Sequence, residues 1–120
     1  MALSGALLDV GAGAMRTAIT HISIASANPD PSGLTNQVAT TPARLPVTWA
    51  AIVAGTGDFT MTGSLAFTGG GNGTGAQYAC FWSAASGGTY YGCQALTGDQ
   101  NFNTAGEYTL TGLTINGGST

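Results

Sequence analysis

The sequence predicts an all-β fold: a jelly-roll-like β-sandwich of about seven or eight strands with a short N-terminal helix. Three observations carry that expectation. Twenty glycines and four prolines punctuate 120 residues, 43% of them apolar, which suits a chain of many turns better than a disordered one. Residues 20–26, 44–49 and 59–67 alternate apolar and polar residues at a period of two. One stretch, residues 76–96, holds three of the four tyrosines, one of the two tryptophans and both cysteines, on two flanks separated by small residues. That is the pattern of a β-hairpin. By length, residues 1–120 are expected to form a single domain.

Taken in order, residues 1–16 are the predicted helix, with Leu3, Ala6, Leu7, Val10 and Ala14 at helical spacing. Gly5, Gly11 and Gly13 each cost up to ~1 kcal/mol relative to Ala, so this helix needs support, as a lid on the sandwich or as a docking arm onto a neighbouring subunit. Residues 20–26 alternate as a strand that buries Ile22 and Ile24 and turns His21 and Ser23 outward. Asn28-Pro29-Asp30-Pro31-Ser32-Gly33 breaks regular structure and opens a loop to residue 42, of a length that usually contacts something. Residues 44–49 resume as a strand with Leu45, Val47 and a core Trp49 on one face, and Pro46 assigns it to a sheet edge. Phe59, Met61, Leu65 and Phe67 share one parity, as one long strand or as two hinged at Gly63-Ser64. The Gly-rich run 69–75 is a turn.

In the hairpin, Tyr78, Cys80 and Trp82 share one face while Gln77, Ala79 and Phe81 share the other. Apolar weight on both faces puts this strand at the centre of the fold, and Gly87 and Gly88 supply positive φ at the turn. Phe102 is expected to tuck back onto the core. Residues 107–116 form the last strand, where Tyr108 and Leu110 have one parity and Leu113 and Ile115 the other, predicting a bulge at Gly112. The tail 117–120 is expected to be loose.

The charged fraction is 6%, against about 25% in ordinary domains. There is no lysine, and Arg16 and Arg44 are the only cations. Mixed surface charge keeps monomers apart, so this chain suits a permanent assembly, including a homo-oligomer. A net charge of −3 with two arginines argues against a nucleic-acid partner. No apolar run reaches the roughly 18 residues of a membrane span, and the N-terminus lacks the basic region of a signal peptide, so it is expected to stay on the mature protein.

Little here points to catalysis. The titratable inventory is Asp9, Asp30, Asp58, Asp99, Glu107, His21, Cys80 and Cys93. Only Asp99 and Glu107 are close in sequence, and they flank a loop as ordinary solvated carboxylates. A Cys-His nucleophile would draw on thiols placed in a packed hairpin, and a metal would need more ligands than one His and two separated Cys provide. No catalytic, cofactor-binding or metal residue is assigned, and the chain reads as a non-enzyme. Residues 69–75 lack the Gly-Lys-Ser/Thr of a phosphate loop, and Asn72-Gly73-Thr74 is a glycosylation sequon without a secretory signal. If Cys80 and Cys93 face each other a cross-strand disulfide is open to them; a one-residue slip puts them on opposite faces. Tyr90 and Tyr91, with Trp49 or Trp82, could stack on a sugar, although core packing explains these rings more simply.

Several segments in a fixed order carry a resemblance. They are the short N-terminal helix, Ile19-Thr20-His21-Ile22-Ser23-Ile24 leading to the Asn-Pro-Asp-Pro-Ser-Gly loop, Ala43-Arg44-Leu45-Pro46-Val47-Thr48-Trp49-Ala50, Phe81-Trp82-Ser83-Ala84-Ala85-Ser86-Gly87-Gly88-Thr89, and Gly106-Glu107-Tyr108-Thr109-Leu110-Thr111. Together they resemble small virion proteins of bacteriophages, notably those of actinobacterial hosts, commonly labelled tail fibre or minor tail proteins. Where that family leads into Thr-Ala-Asp-Pro, this chain has Ala25-Ser26-Ala27-Asn28-Pro29. The resemblance implies a structural protein of the virion, assembled in the host cytoplasm and partnered by other virion proteins. A minor tail or tail-fibre component is the first expectation and a capsid decoration protein the second. A module binding host-surface carbohydrate is the third. No cofactor and no catalytic residue is implied.

Overall fold

The computed structural model describes residues 4–29, 31, 33, 35–96 and 101–116. Asp30, Asp99 and the tail 117–120 lie outside the described residues. Among the described residues, eight strands in antiparallel pairings and one N-terminal helix make up the regular structure. The helix is α1 (Gly5–Ala18), and the strands are β1 (His21–Ala25), β2 (Leu45–Pro46), β3 (Asp58–Thr60), β4 (Ser64–Phe67), β5 (Tyr78–Trp82), β6 (Tyr90–Ala95), β7 (Tyr108–Thr111) and β8 (Thr114–Asn116). A four-stranded sheet has the order β2-β1-β5-β6, while β3 pairs with β8 and β4 with β7.

Helix α1 starts where Ser4 Oγ accepts the Leu7 N–H at 3.2 Å, and it ends where Ile19 turns extended while still donating to the Met15 carbonyl at 2.9 Å. Its glycine content has a local reason at one position. A Cβ on Gly5 would lie 2.6 Å from the Gly55 carbonyl oxygen, so the helix lies against its own chain at a distance only glycine allows. Asp9 fixes that contact: its carboxylate accepts the N–H of Gly55 at 2.7 Å and of Gly57 at 3.0 Å.

Strand β1 is interior, between β2 and β5, and this corrects one expectation. Ser23 does not point to solvent; it is 3% exposed, because the loop after β1 folds back over that face. Val38 N–H donates to the Ile24 carbonyl at 2.9 Å and Ser26 N–H to the Asn36 carbonyl at 2.8 Å, with an antiparallel bridge from Ala25 to Gln37. His21, on the same face as Ser23, is half-buried. Strand β2 lies at the sheet edge with Pro46 as expected, but it is two residues long. Beyond it the chain crosses over, and Trp49 bridges Met61 instead. Trp49 is half-buried at the margin of the core, its Nε1–H donating to the Ile19 carbonyl at 3.0 Å and its ring meeting Phe59 edge-on.

The stretch of shared parity after residue 58 is two strands, β3 and β4, separated by Gly63 at φ 65°. Its partner is also two strands, β7 and β8, broken at Gly112 with φ 67° as the parity switch requires. The main buried cluster unites Ile22, Ile24, Ala79 and Phe81 from one face of the four-stranded sheet with Phe67 and Leu110 from the β4–β7 pair and with Met61 and Leu113, which lie between the two smaller pairs and are joined by a 2.9 Å bond from Met61 N–H to the Leu113 carbonyl. Phe102 joins it, 1% exposed. Its ring occupies the space beside Gly70, where a Cβ would come within 2.4 Å.

Candidate functional site

The richest concentration of chemistry-bearing side chains is on the other face of the four-stranded sheet. Alternation along β1 and β5 delivers Ser23, Ala25, Tyr78, Cys80 and Trp82 to that face, and register adds Tyr90 and Cys93 from β6. Ser23 Oγ donates to Gln37 Oε1 at 2.6 Å and accepts the Trp82 Nε1–H at 2.9 Å. Gln37 Nε2 in turn donates to the Gly33 carbonyl at 2.9 Å and to Cys80 Sγ at 3.3 Å. The loop therefore supplies the residue that satisfies the buried polar groups of the sheet. Gly33 lies on the Tyr90 ring, where a Cβ would fall 2.5 Å from it.

Arg44 closes the other end. Its Nη1 donates to the Ala84 and Gly87 carbonyls, each at 2.8 Å, and its guanidinium carbon lies 3.6 Å from the centre of a Trp82 ring. One cation thus fastens the connection between β5 and β6, which turns through Gly87 at φ 62° and Gly88 at φ 71°. Burial pushes the Cys80 thiol above its ordinary pKa, opposed by the Gln37 hydrogen bond. Tyr90 is likewise pushed up, first by burial and then by its hydrogen bond to Cys93.

The cluster is built for packing and polar satisfaction. Trp82, named for a sugar platform, is 4% exposed beneath Arg44, and Trp49 spends its ring on Phe59. Of the four rings so named, Tyr91 alone is exposed, at 48%.

The remaining candidates are dispersed. Asp9 serves the 55–57 turn, His21 Nδ1 lies 2.9 Å from Thr20 Oγ1, and Asp58 and Glu107 sit at opposite ends of the region where β3 and β4 meet β8 and β7. Asp99, the acid nearest Glu107 in sequence, is outside the described residues. Among the described residues no three His, Cys, Asp or Glu side chains gather as metal ligands. Three amides of the glycine turn are occupied: Gly70 N–H donates to the Gly106 carbonyl at 3.0 Å, Gly73 N–H to the Phe102 carbonyl at 2.9 Å and Thr74 N–H to the Gly71 carbonyl at 3.3 Å. An anion would have to displace those bonds.

Two open features remain. Strand β6 pairs with β5 on one side, and along its other side runs a groove of about 380 Å³ walled by Gln94, Ala95 and Leu96 opposite residues 108–114. A more apolar groove of about 430 Å³ lies between α1 and β6, lined by Met15, Ile19, Phe81, Tyr91 and Ile115 among others. Among the described residues no helix is long and apolar enough to cross a membrane. Sequence reasoning missed Gln37 and Asp9 as organising residues. Nothing local marks Gln37, and Asp9 meets the 55–57 turn across more than 40 residues of chain, which no spacing announces. No protein-family model, no curated protein and no solved structure matches this chain.

Proposed function

We propose that the chain is a non-enzymatic structural subunit of a bacteriophage virion, a minor tail or tail-fibre component held in permanent contact with copies of itself and with other virion proteins. The observation that carries the assembly part is the β6 edge. Tyr90-Tyr91-Gly92-Cys93-Gln94-Ala95 has neither charge nor proline, although exposed edges are usually blunted by one or the other. At the opposite edge β2 does carry a proline, Pro46. An uncharged edge beside an uncharged groove wall suits a strand-shaped neighbour better than water. The phage assignment rests on the sequence resemblance, above all on Phe81-Trp82-Ser83-Ala84-Ala85-Ser86-Gly87-Gly88-Thr89.

The architecture that goes with this reading is a two-layered, jelly-roll-like sandwich. Its support is the joint burial of Ile22, Ile24, Ala79 and Phe81 with Met61, Phe67, Leu110 and Leu113, residues from separate pairings in one cluster. Quantitative mass spectrometry of separated phage heads and tails, with the major capsid protein as internal standard, tests the location. A tail component follows the tails in few copies. Recovery with heads at a constant ratio to the capsid subunit would replace the tail by the decoration role, and absence from both fractions would end the virion reading.

A further inference from the structure

Cys80 and Cys93 are directly opposed in register across β5 and β6. The ladder also fixes what kind of pair they are. Leu96 N–H donates to the Gln77 carbonyl at 2.8 Å, which makes Gln77 and Leu96 a hydrogen-bonded pair one step beyond Tyr78 and Ala95. Hydrogen-bonded and non-hydrogen-bonded pairs alternate along an antiparallel ladder, so Cys80 and Cys93, three steps on, are a non-hydrogen-bonded pair. Opposed Cα atoms at such positions are about 4.5 Å apart, with the side chains at their closest. That separation is within the roughly 4.4–6.8 Å spanned by disulfides. The irregularity in the ladder falls between Phe81 and Trp82, past the cysteines, and leaves their level undisturbed.

The two thiols, both free in this structure, differ in access. Cys80 is fully buried, with Gln37 Nε2 donating to its sulfur. Cys93 is half-buried, 3.9 Å from Asn28 Oδ1, and lines an open groove with Asn28, Pro29, Pro31 and Tyr90.

We propose that Cys80 and Cys93 are a thiol–disulfide pair that closes across the hairpin, with a low-molecular-weight disulfide as oxidant. Cys93, reached from the groove, loses its proton to water and attacks one sulfur of the small disulfide. The S–S bond of the oxidant breaks, one thiolate leaves and takes up a proton, and Cys93 carries a mixed disulfide. Cys80 then gives up its proton, and its sulfur displaces the second small thiol from Cys93. In balance, two protein thiols lose two electrons and two protons, and one small disulfide becomes two thiols. Burial disfavours charge on the Cys80 sulfur, and the Gln37 amide offsets part of that during the second step. The chemistry does not depend on the virion reading. Only its biological setting does: a particle subunit passes from a reducing cytoplasm to an oxidising exterior, where the closed pair locks β6, the open edge, onto β5.

The test equilibrates the full chain with oxidised or reduced glutathione, blocks remaining thiols with iodoacetamide under denaturing conditions, and maps the peptides without reduction. After oxidised glutathione the chain is expected to take up no iodoacetamide and to yield one peptide pair joined through Cys80 and Cys93. Its Tm should rise by roughly 10 °C, as expected for closing a loop of about 14 residues. A Cys80→Ala chain should stop at glutathione on Cys93, and a Cys93→Ser chain should keep Cys80 free, so two variants with different packing report independently. Two alkylated cysteines in the native chain, a stable glutathione adduct on Cys93, or a dimer linked through Cys93 would each overturn the proposal.

Discussion

Trp82 shows how one side chain can answer to three segments at once. Its ring is buried, its indole N–H is held by Ser23 on β1, and Arg44 covers it from the bend just before β2. Removing it empties a large space and leaves Ser23 short of a donor. Trp82→Ala is therefore expected to cost about 3 to 5 kcal/mol, read as a shift in denaturant midpoint at unchanged slope. A loss below about 1 kcal/mol would mean that the ring is not interior. The same residue weakens the carbohydrate reading, since a ring under a guanidinium and a carbonyl-bound turn has no face left for a sugar.

At the scale of elements, the glycine turn 69–75 and Phe102 depend on each other. The turn is shaped around the ring, and Phe102 N–H donates to the Thr74 carbonyl at 2.8 Å, while Gly70 leaves the ring its space. Gly70→Ala is expected to destabilise by about 1 to 3 kcal/mol, because the ring that must move is enclosed on its other sides. Thermal or denaturant unfolding checks it, with Gly73→Ala as comparison. At Gly73 a Cβ meets nothing within 4 Å, so any loss there comes from its φ of 77° alone. Equal stability of Gly70→Ala and the native chain would show that Phe102 does not pack against the turn.

For the whole molecule the controlling fact is charge. Seven charged residues in 120, two of them basic, leave little repulsion between copies. The described residues extend 46 × 25 × 23 Å, so the molecule is elongated, with β6 along one open side. Self-association is the expected behaviour of the isolated chain, measured by light scattering after size exclusion. Ala95→Lys places a charge on the exposed end of β6 and is expected to shift the population toward monomer without lowering the unfolding midpoint. A native chain that stays monomeric over a wide concentration range would remove the self-assembly part and leave docking onto another protein.

Much of this architecture was legible in the sequence because it follows from local backbone geometry. Side-chain alternation is a property of the pleat, so the two apolar faces of β5, the parity of Phe59 through Phe67 and the switch at Gly112 were all readable from spacing. Positive φ at Gly87 and Gly88 was readable for the same reason, since a tight connection needs it. Tertiary structure alone decided the rest. Ser23 is buried because a donor from Trp82 and an acceptor from Gln37 meet it from outside its strand, and no spacing announces such partners. Asp9 became a brace for a turn some 46 residues away. The facing of Cys80 and Cys93 depended on register, which the irregular pairing at Trp82 and Tyr90 and the connection beyond it set together. Periodicity reports what a residue does to its own backbone; burial of a polar group and the register of a pair depend on atoms that the fold alone brings near.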